Sequence, residues 1–291
     1  MRNWEYIPRA LTGLMFVFAS IAKLLSIDSF EIYVFSFGMM PLWAAFLSAR
    51  LLIALEAFLG IWMLANCDAK PAWWAGMILL AIFTLRLIIL HFAGNSESCN
   101  CFGGFIDLDP VQSIVKNLVF MVVLGISYGC ESFRMKRKWP WRILVPAACL
   151  AAVLIISPPD NWRYEGYGKY TTLNTSAFEK ARSRKYIPER VFDGEKILCF
   201  YSLKCDFCRM SAIKLATLRK RGEFSEAPVI AAIGGKERDA AYYFRETGLD
   251  CSDWFFIPPS IFFRITNGEM PLILVLKDGM VIEKYSYRDL H

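Results

Sequence analysis

Long apolar runs dominate the first 157 residues of the chain. Five stretches, residues 9–27, 42–65, 73–92, 111–130 and 140–157, approach the roughly 20 apolar residues that an α-helix needs to cross about 30 Å of hydrocarbon. Beyond Pro158 the composition returns to that of a water-soluble domain. At 56% hydrophobic residues and a mean hydropathy of +0.36, the whole is too apolar for one soluble domain. The expected fold class is a polytopic α-helical membrane domain followed by a C-terminal α/β domain long enough to bury its own core. The first run follows Arg2 and Arg9 like a signal peptide. It continues through Leu24 and Leu25 without a small-residue cleavage site, so the expectation is an anchor. Pro146 bends the fifth run, and Trp139 and Trp141 mark its interfacial end.

Charge sets the expected orientation. Arg2, Arg9, Lys70 and the cluster Arg134, Lys136, Arg137 and Lys138 fall at the N-terminus and in alternate loops. The other two loops, 28–41 and 93–110, carry Asp28, Glu31, Glu97, Asp107 and Asp109 and no Lys or Arg. The positive-inside rule then places the N-terminus in the cytoplasm, and five crossings deliver the tail to the other side of a cytoplasmic (inner) membrane. The net charge of +6 is spent on this asymmetry, so no nucleic-acid partner is expected.

The nine cysteines carry the chemistry, because His91 and His291 leave almost no material for histidine-based sites. By this topology Cys99, Cys101, Cys205, Cys208 and Cys251 all face the compartment where disulfides persist. Cys67, Cys130 and Cys149 read as small buried apolar residues, and Cys199 as core. Cys205-Asp-Phe-Cys208 follows an apolar strand at 196–202 and precedes a helix at 209–220. Cys205 therefore sits at a helix N-terminus, where free N–H groups, the dipole and neighbouring Lys204 favour a thiolate. Further on lie a strand at 228–233, a helix near 236–247, and two strands at 272–276 and 280–285 joined by Lys-Asp-Gly as a hairpin. A structural disulfide, or a four-thiolate zinc site shared with Cys99 and Cys101, are the plainer alternatives. Cys251 reads as a third redox thiol or a buried free cysteine.

Strand, Cys-x-x-Cys, helix, then Met270-Pro271 opening a hairpin resembles a thioredoxin fold over about residues 190–288. The resemblance implies that Cys205 is the nucleophile, Cys208 the resolving thiol and Pro271 a cis-proline beside them. The chain lacks the common Trp-Cys-Gly-Pro-Cys and ends early for a full terminal helix. In the first part, Gly13 through Lys23, Glu56 with Gly60, and Ser98-Cys-Asn-Cys-Phe-Gly103 resemble the MauE/DoxX group of small four-helix membrane proteins over about residues 5–130. Asn100 stands where that group often has glycine. The likeness implies a four-helix bundle, here with a fifth span, associated with redox chemistry.

The expected organisation is residues 1–133 as the four-span domain, 134–157 as basic loop and fifth span, 158–189 as linker and lead-in, and 190–291 as the thioredoxin-like domain. A Cys99–Cys101 disulfide closes a small strained ring, which makes it oxidising, and Gly103 and Gly104 allow close approach of another backbone. Lys23, Arg50, Glu56, Arg86 and His91 are ionisable residues within or near spans. One reading makes them salt bridges, with Lys23 and Arg50 snorkelling outward. The other makes Arg86, His91 and Glu56 a polar site below Cys99 and Cys101, where a quinone binds. The expected function is a membrane-bound thiol–disulfide oxidoreductase. It passes electrons between Cys205/Cys208 and Cys99/Cys101 for disulfide formation in extracytoplasmic client proteins. Its rival is a non-enzymatic assembly or chaperone-like factor whose tail binds a client.

Overall fold

The computed structural model describes residues 7–65, 69–92, 110–126, 128, 139–159, 172–234 and 239–290. It divides into a helical unit and a second unit that holds the tail.

In the helical unit, α1 (Ile7–Leu25), α2 (Ile27–Phe35), α3 (Leu42–Leu64), α4 (Ala69–Phe92), α5 (Pro110–Ile126) and α6 (Trp139–Ile156) follow one another. Ile7–Leu25, Leu42–Leu64 and Lys70–Ile89 are long and apolar enough to cross a bilayer, and Val111–Ile126 and Ile143–Ile156 are shorter apolar helices. This is a multi-pass membrane protein. The side chains are sorted for lipid: on α1, Leu11, Leu14, Phe18 and Ile21 are exposed, whereas Thr12, Ser20 and Lys23 are buried. Polar groups turn inward because hydrocarbon offers them no hydrogen bonds.

Two features of α1 and α3 account for residues that carry the MauE/DoxX likeness. Gly13 and Gly60 let the two backbones touch: a Cβ on Gly60 would lie 2.8 Å from the Gly13 carbonyl oxygen and 2.9 Å from the Val17 nitrogen. Lys23 is buried, paired with Glu56, and sits 5.0 Å from the ring centroids of both Phe30 and Phe83.

Neither Lys23 nor Arg50 snorkels. Arg50 is 1% exposed and pairs with Glu31, which lies on α2, a buried helix in what the sequence presents as an acidic loop. Arg50 also donates from Nε to the Ser157 carbonyl at 2.9 Å, from Nη2 to the Pro158 carbonyl at 3.0 Å and from Nη1 to the Phe46 carbonyl at 2.9 Å. Ser157 and Pro158 follow α6, so this guanidinium satisfies carbonyls that the end of a helix leaves free. A buried guanidinium with a carboxylate and three carbonyls has four of its five donors engaged in place, which weakens the drive to reach water.

The tail is a five-stranded sheet, β1 (Glu195–Tyr201), β2 (Val229–Gly234), β3 (Cys251–Ile257), β4 (Leu272–Lys277) and β5 (Met280–Tyr285), in the order β3-β2-β1-β4-β5. β2 runs parallel to β1 and β3; β4 runs antiparallel to β1 and β5. The hairpin between β4 and β5 turns on Asp278 (φ 49°) and Gly279 (φ 79°), both left-handed, as a two-residue type I′ loop requires. Helices α8 (Asp206–Lys220) and α9 (Ala240–Thr247) follow β1 and β2, and α10 (Pro259–Ile265) follows β3. Leu198 and Phe200 of β1 enter one core with Phe178, Phe262, Leu272 and Leu274. By the alternation of a strand, Cys199 and Tyr201 point to the opposite face.

Three elements lie beyond the sequence expectation. Helix α7 (Thr175–Ser183), capped by Asn174, sits inside the 158–189 segment and puts Phe178 and Ala181 into the core. Strand β3 and α10 occupy 251–265, where only Cys251 drew notice. In place of a terminal helix, the last residues pack tightly, with Tyr287, Asp289 and Leu290 buried and the Lys214 amine of α8 donating to the Tyr287 carbonyl at 3.0 Å.

Candidate functional site: the Cys205/Cys208 pair

Strand β1 ends at Tyr201, and a turn closed by Cys205 N–H donating to the Ser202 carbonyl at 3.1 Å leads into α8. Cys205 has extended backbone geometry (φ −94°, ψ 118°) and is the N-cap of α8, its sulfur accepting the Cys208 N–H at 3.4 Å. Cys208 is 0% exposed and its sulfur accepts the Ser202 N–H at 3.5 Å. Both are free thiols, and only Cys205 reaches the surface.

This geometry pushes the two acidities apart. The Cys208 thiol donates to the Cys205 sulfur; against partial burial, and with the N–H groups of Cys208 and Phe207 adding to it, this lowers Cys205 from 9.0 to about 6. Asp206 opposes the shift. Lys204, expected to assist, is exposed and is not among the causes, so the helix start and the partner thiol do the work. Cys208 is driven far up by donating to Cys205, by burial and by the charge on Cys205. One sulfur is a ready thiolate at neutral pH and its neighbour a retained thiol.

The Met270–Pro271 peptide is cis, as the resemblance implies, and leads into β4. Phe200 of β1 pairs with Leu272, so Pro271 lies at the end of the sheet from which the Cys205 turn departs. A cavity of about 360 Å³ opens there between Phe207, Glu269, Met270, Pro271, Tyr287 and Arg288. Phe207, inside the Cys-x-x-Cys, packs at a tilt against Tyr287 with ring centroids 5.4 Å apart, and Lys214 lies 4.8 Å from the same Tyr287 ring. The short C-terminal segment thus builds one wall of the cavity beside the Cys-x-x-Cys.

The remaining sequence candidates separate. Cys251 stands at the start of edge strand β3, half-buried, with its thiol toward the Asp253 carbonyl at 3.1 Å; burial pushes it up to about 12. Cys199 is fully buried and its thiol is also pushed up by burial. Neither has the thiolate character of Cys205. Cys99 and Cys101 lie outside the described residues, as does the side chain of His91. Glu56 is engaged by Lys23, and Arg86 is half-buried on α4. The buried tyrosines Tyr201 and Tyr243 behind Cys208 escaped sequence reasoning, since a tyrosine in an apolar run reads as core.

Residues 2–130 match the family model described as methylamine utilisation protein MauE. Protein TlpB of Flavobacterium psychrophilum is 26% identical over 305 aligned residues, which cover 84% of this chain and 82% of that protein. No solved structure matches. The family match ends where the four-span part ends, and the relative's similarity continues into the tail. The chain thus joins a membrane part that is similar, over residues 2–130, to MauE to a C-terminal domain with a thioredoxin-like α/β fold.

Proposed function

We propose that this protein is a membrane-bound thiol–disulfide oxidoreductase. The observation that carries the proposal is the asymmetry of the pair: a half-exposed Cys205 thiolate capping α8, and a buried Cys208 thiol directly behind it. A thiolate is the attacking species in disulfide exchange, and the resolving thiol must be close, intact and shielded from other partners. The cavity between Phe207, Pro271 and Tyr287, with Glu269 and Arg288 also on its lining, gives a client segment a seat next to the Cys-x-x-Cys.

In the oxidising direction, a client thiolate attacks the Cys205–Cys208 disulfide, and a mixed disulfide forms as Cys208 leaves. The second client thiolate then displaces Cys205. The client loses two electrons and two protons, and the pair becomes a dithiol. Cys205/Cys208 then passes those electrons to a Cys99–Cys101 disulfide by the same exchange. The fusion makes this second exchange intramolecular, with effective concentrations that reach millimolar for a linker of suitable span. The absence of a close cysteine pair in the loops assigned to the cytoplasm supports oxidation over reduction. Both pairs are proposed to face the extracytoplasmic side of the inner membrane, by the loop charges.

A quinone in the helical unit would supply the two-electron acceptor that turnover needs. Arg86 and His91 are the donor types that a quinone carbonyl takes and are proposed to hold it. Glu56 contributes through Lys23, to which it is paired.

The test is a Cys208→Ala variant expressed in cells and isolated under acid quench. The expected result is a set of client proteins attached through Cys205 and released by reductant. A variant carrying no reductant-sensitive adduct would favour the non-enzymatic, client-binding factor instead.

A further inference from the structure

The tail's sheet has one edge with an unusual surface. Strand β3 stands at the end of the sheet order and pairs with β2 alone among the described strands. Edge strands of soluble domains usually guard themselves with charges, prolines or bulges. β3 instead turns Trp254 and Phe256 outward on one face, 37% and 46% exposed. Among the described residues the tail exposes six aromatic side chains, and four of them, Tyr242, Trp254, Phe256 and Phe263, lie on α9, β3 and α10. Trp254 is held outward by Phe244 of α9, which is buried against it with ring centroids 5.8 Å apart. The single charge on β3, Asp253, is neutralised by Arg190 and accepts the Trp254 N–H at 2.8 Å. On α9 the Arg245 guanidinium lies 5.7 Å from the Tyr242 ring. Exposed aromatics grouped in this way, beside a charge already paired, mark an interaction surface.

The chain itself supplies the occupant. Pro159 is the last described residue of the helical unit and Thr172 the first of the tail. The chain between them spans at most about 45 Å. The bilayer that holds the helical unit is therefore always within reach of this edge at high effective concentration, whereas a soluble partner has to arrive by diffusion. Trp and Tyr, apolar bodies with a polar edge, suit the headgroup level of a bilayer, and Arg245 can lay its stem along apolar surface with its charge in water. The cavity beside the Cys-x-x-Cys is lined by other residues and stays open when this edge is covered.

We infer that Trp254 and Phe256, flanked in the chain by Tyr242 and Phe263, dock the tail on the headgroup region of its own membrane. The docking does not depend on the redox reading, but it has a consequence for it. Phe256 pairs with Ile233, which pairs with Tyr201, so Phe256 stands level with the end of β1 from which the Cys205 turn departs. β1 is two strands in from the docked edge, about 10 Å. Docking therefore keeps the Cys205 end of the sheet close to the bilayer surface.

The test uses full-length protein in phosphatidylcholine vesicles whose acyl chains are either ordinary or brominated near the headgroup, since bromine quenches indole on contact. The emission of Trp254 is the difference between wild type and Trp254→Phe, which keeps an aromatic ring at the docking surface. That difference is expected to fall by about half or more in the brominated lipid. Phe256→Asp, which puts a charge on the strip, is expected to restore it, and Phe256→Ser serves if the aspartate variant does not fold. An unchanged rate of Cys205 alkylation shows that the tail is folded in each variant. Equal Trp254 emission in the two lipids would overturn the inference, as would quenching that survives a folded Phe256 variant. Trp254 emission that ignores bromine but changes with the number of protein copies per vesicle would also overturn it, and would give the edge to a second copy of the chain.

Discussion

The Cys208 N–H points at the Cys205 sulfur from 3.4 Å, so Cys205 caps the helix that carries Cys208. The cap and the thiol of Cys208 act on Cys205 together, and they are separable. Alkylation of Cys205 in full-length protein should be half-maximal near pH 6. In Cys208→Ala the midpoint should rise, because the largest contribution is lost, and remain below 9 because the N–H groups stay. Since folding lowers the pKa of this thiol, Cys205 ionisation adds stability to the reduced protein that is complete above pH 9 and vanishes as pH falls through about 6. A wild-type midpoint at 9 would contradict the assignment.

The site was legible because its parts are local. A strand, two cysteines and a helix start within fourteen residues fix where Cys205 sits, and the thioredoxin resemblance implied the cis geometry found at Met270–Pro271. The shape of the cavity was not legible, because Phe207 and Tyr287 are eighty residues apart and meet only when the C-terminal segment folds onto α8. Strand β3 was missed for a related reason. As an edge strand it exposes Ser252, Trp254 and Phe256, so its sequence lacks a continuous apolar run. In the helical unit the apolar runs located the long helices, whereas hydropathy alone made α2 a loop. Glu31 looks like a solvated acid until Arg50 is found beside it.

Arg50 and Glu31 should behave as a coupled pair. Removing one partner strands a buried charge, at about 3–5 kcal/mol for a buried pair, and Arg50→Ala also frees the Ser157, Pro158 and Phe46 carbonyls. Thermal unfolding in detergent should show Arg50→Ala and Glu31→Ala each strongly destabilised, with the double variant less destabilised than the sum. Strict additivity would show that the pair is not energetically linked.

Gly60→Ala places a methyl against the backbone of α1 and should destabilise the helical unit by roughly 1–3 kcal/mol, the usual scale of overpacking. Gly125→Ala, where a Cβ meets nothing within 4 Å, is the matched control and should be neutral. Equal melting of both variants would remove the case for a close α1–α3 crossing.

The central claim is that two cysteine pairs exchange electrons within one chain. It is tested by combining Cys208→Ala with alanine at Cys99 or at Cys101, inserting a protease site in residues 158–170, and cutting after acid quench. If the pairs exchange, one combination leaves the tail joined to the helical unit by a bond that reductant releases. In cells, loss of Cys99 and Cys101 should also leave Cys205/Cys208 reduced. Separated halves in both combinations, together with a Cys205/Cys208 redox state unchanged by loss of Cys99 and Cys101, would contradict it.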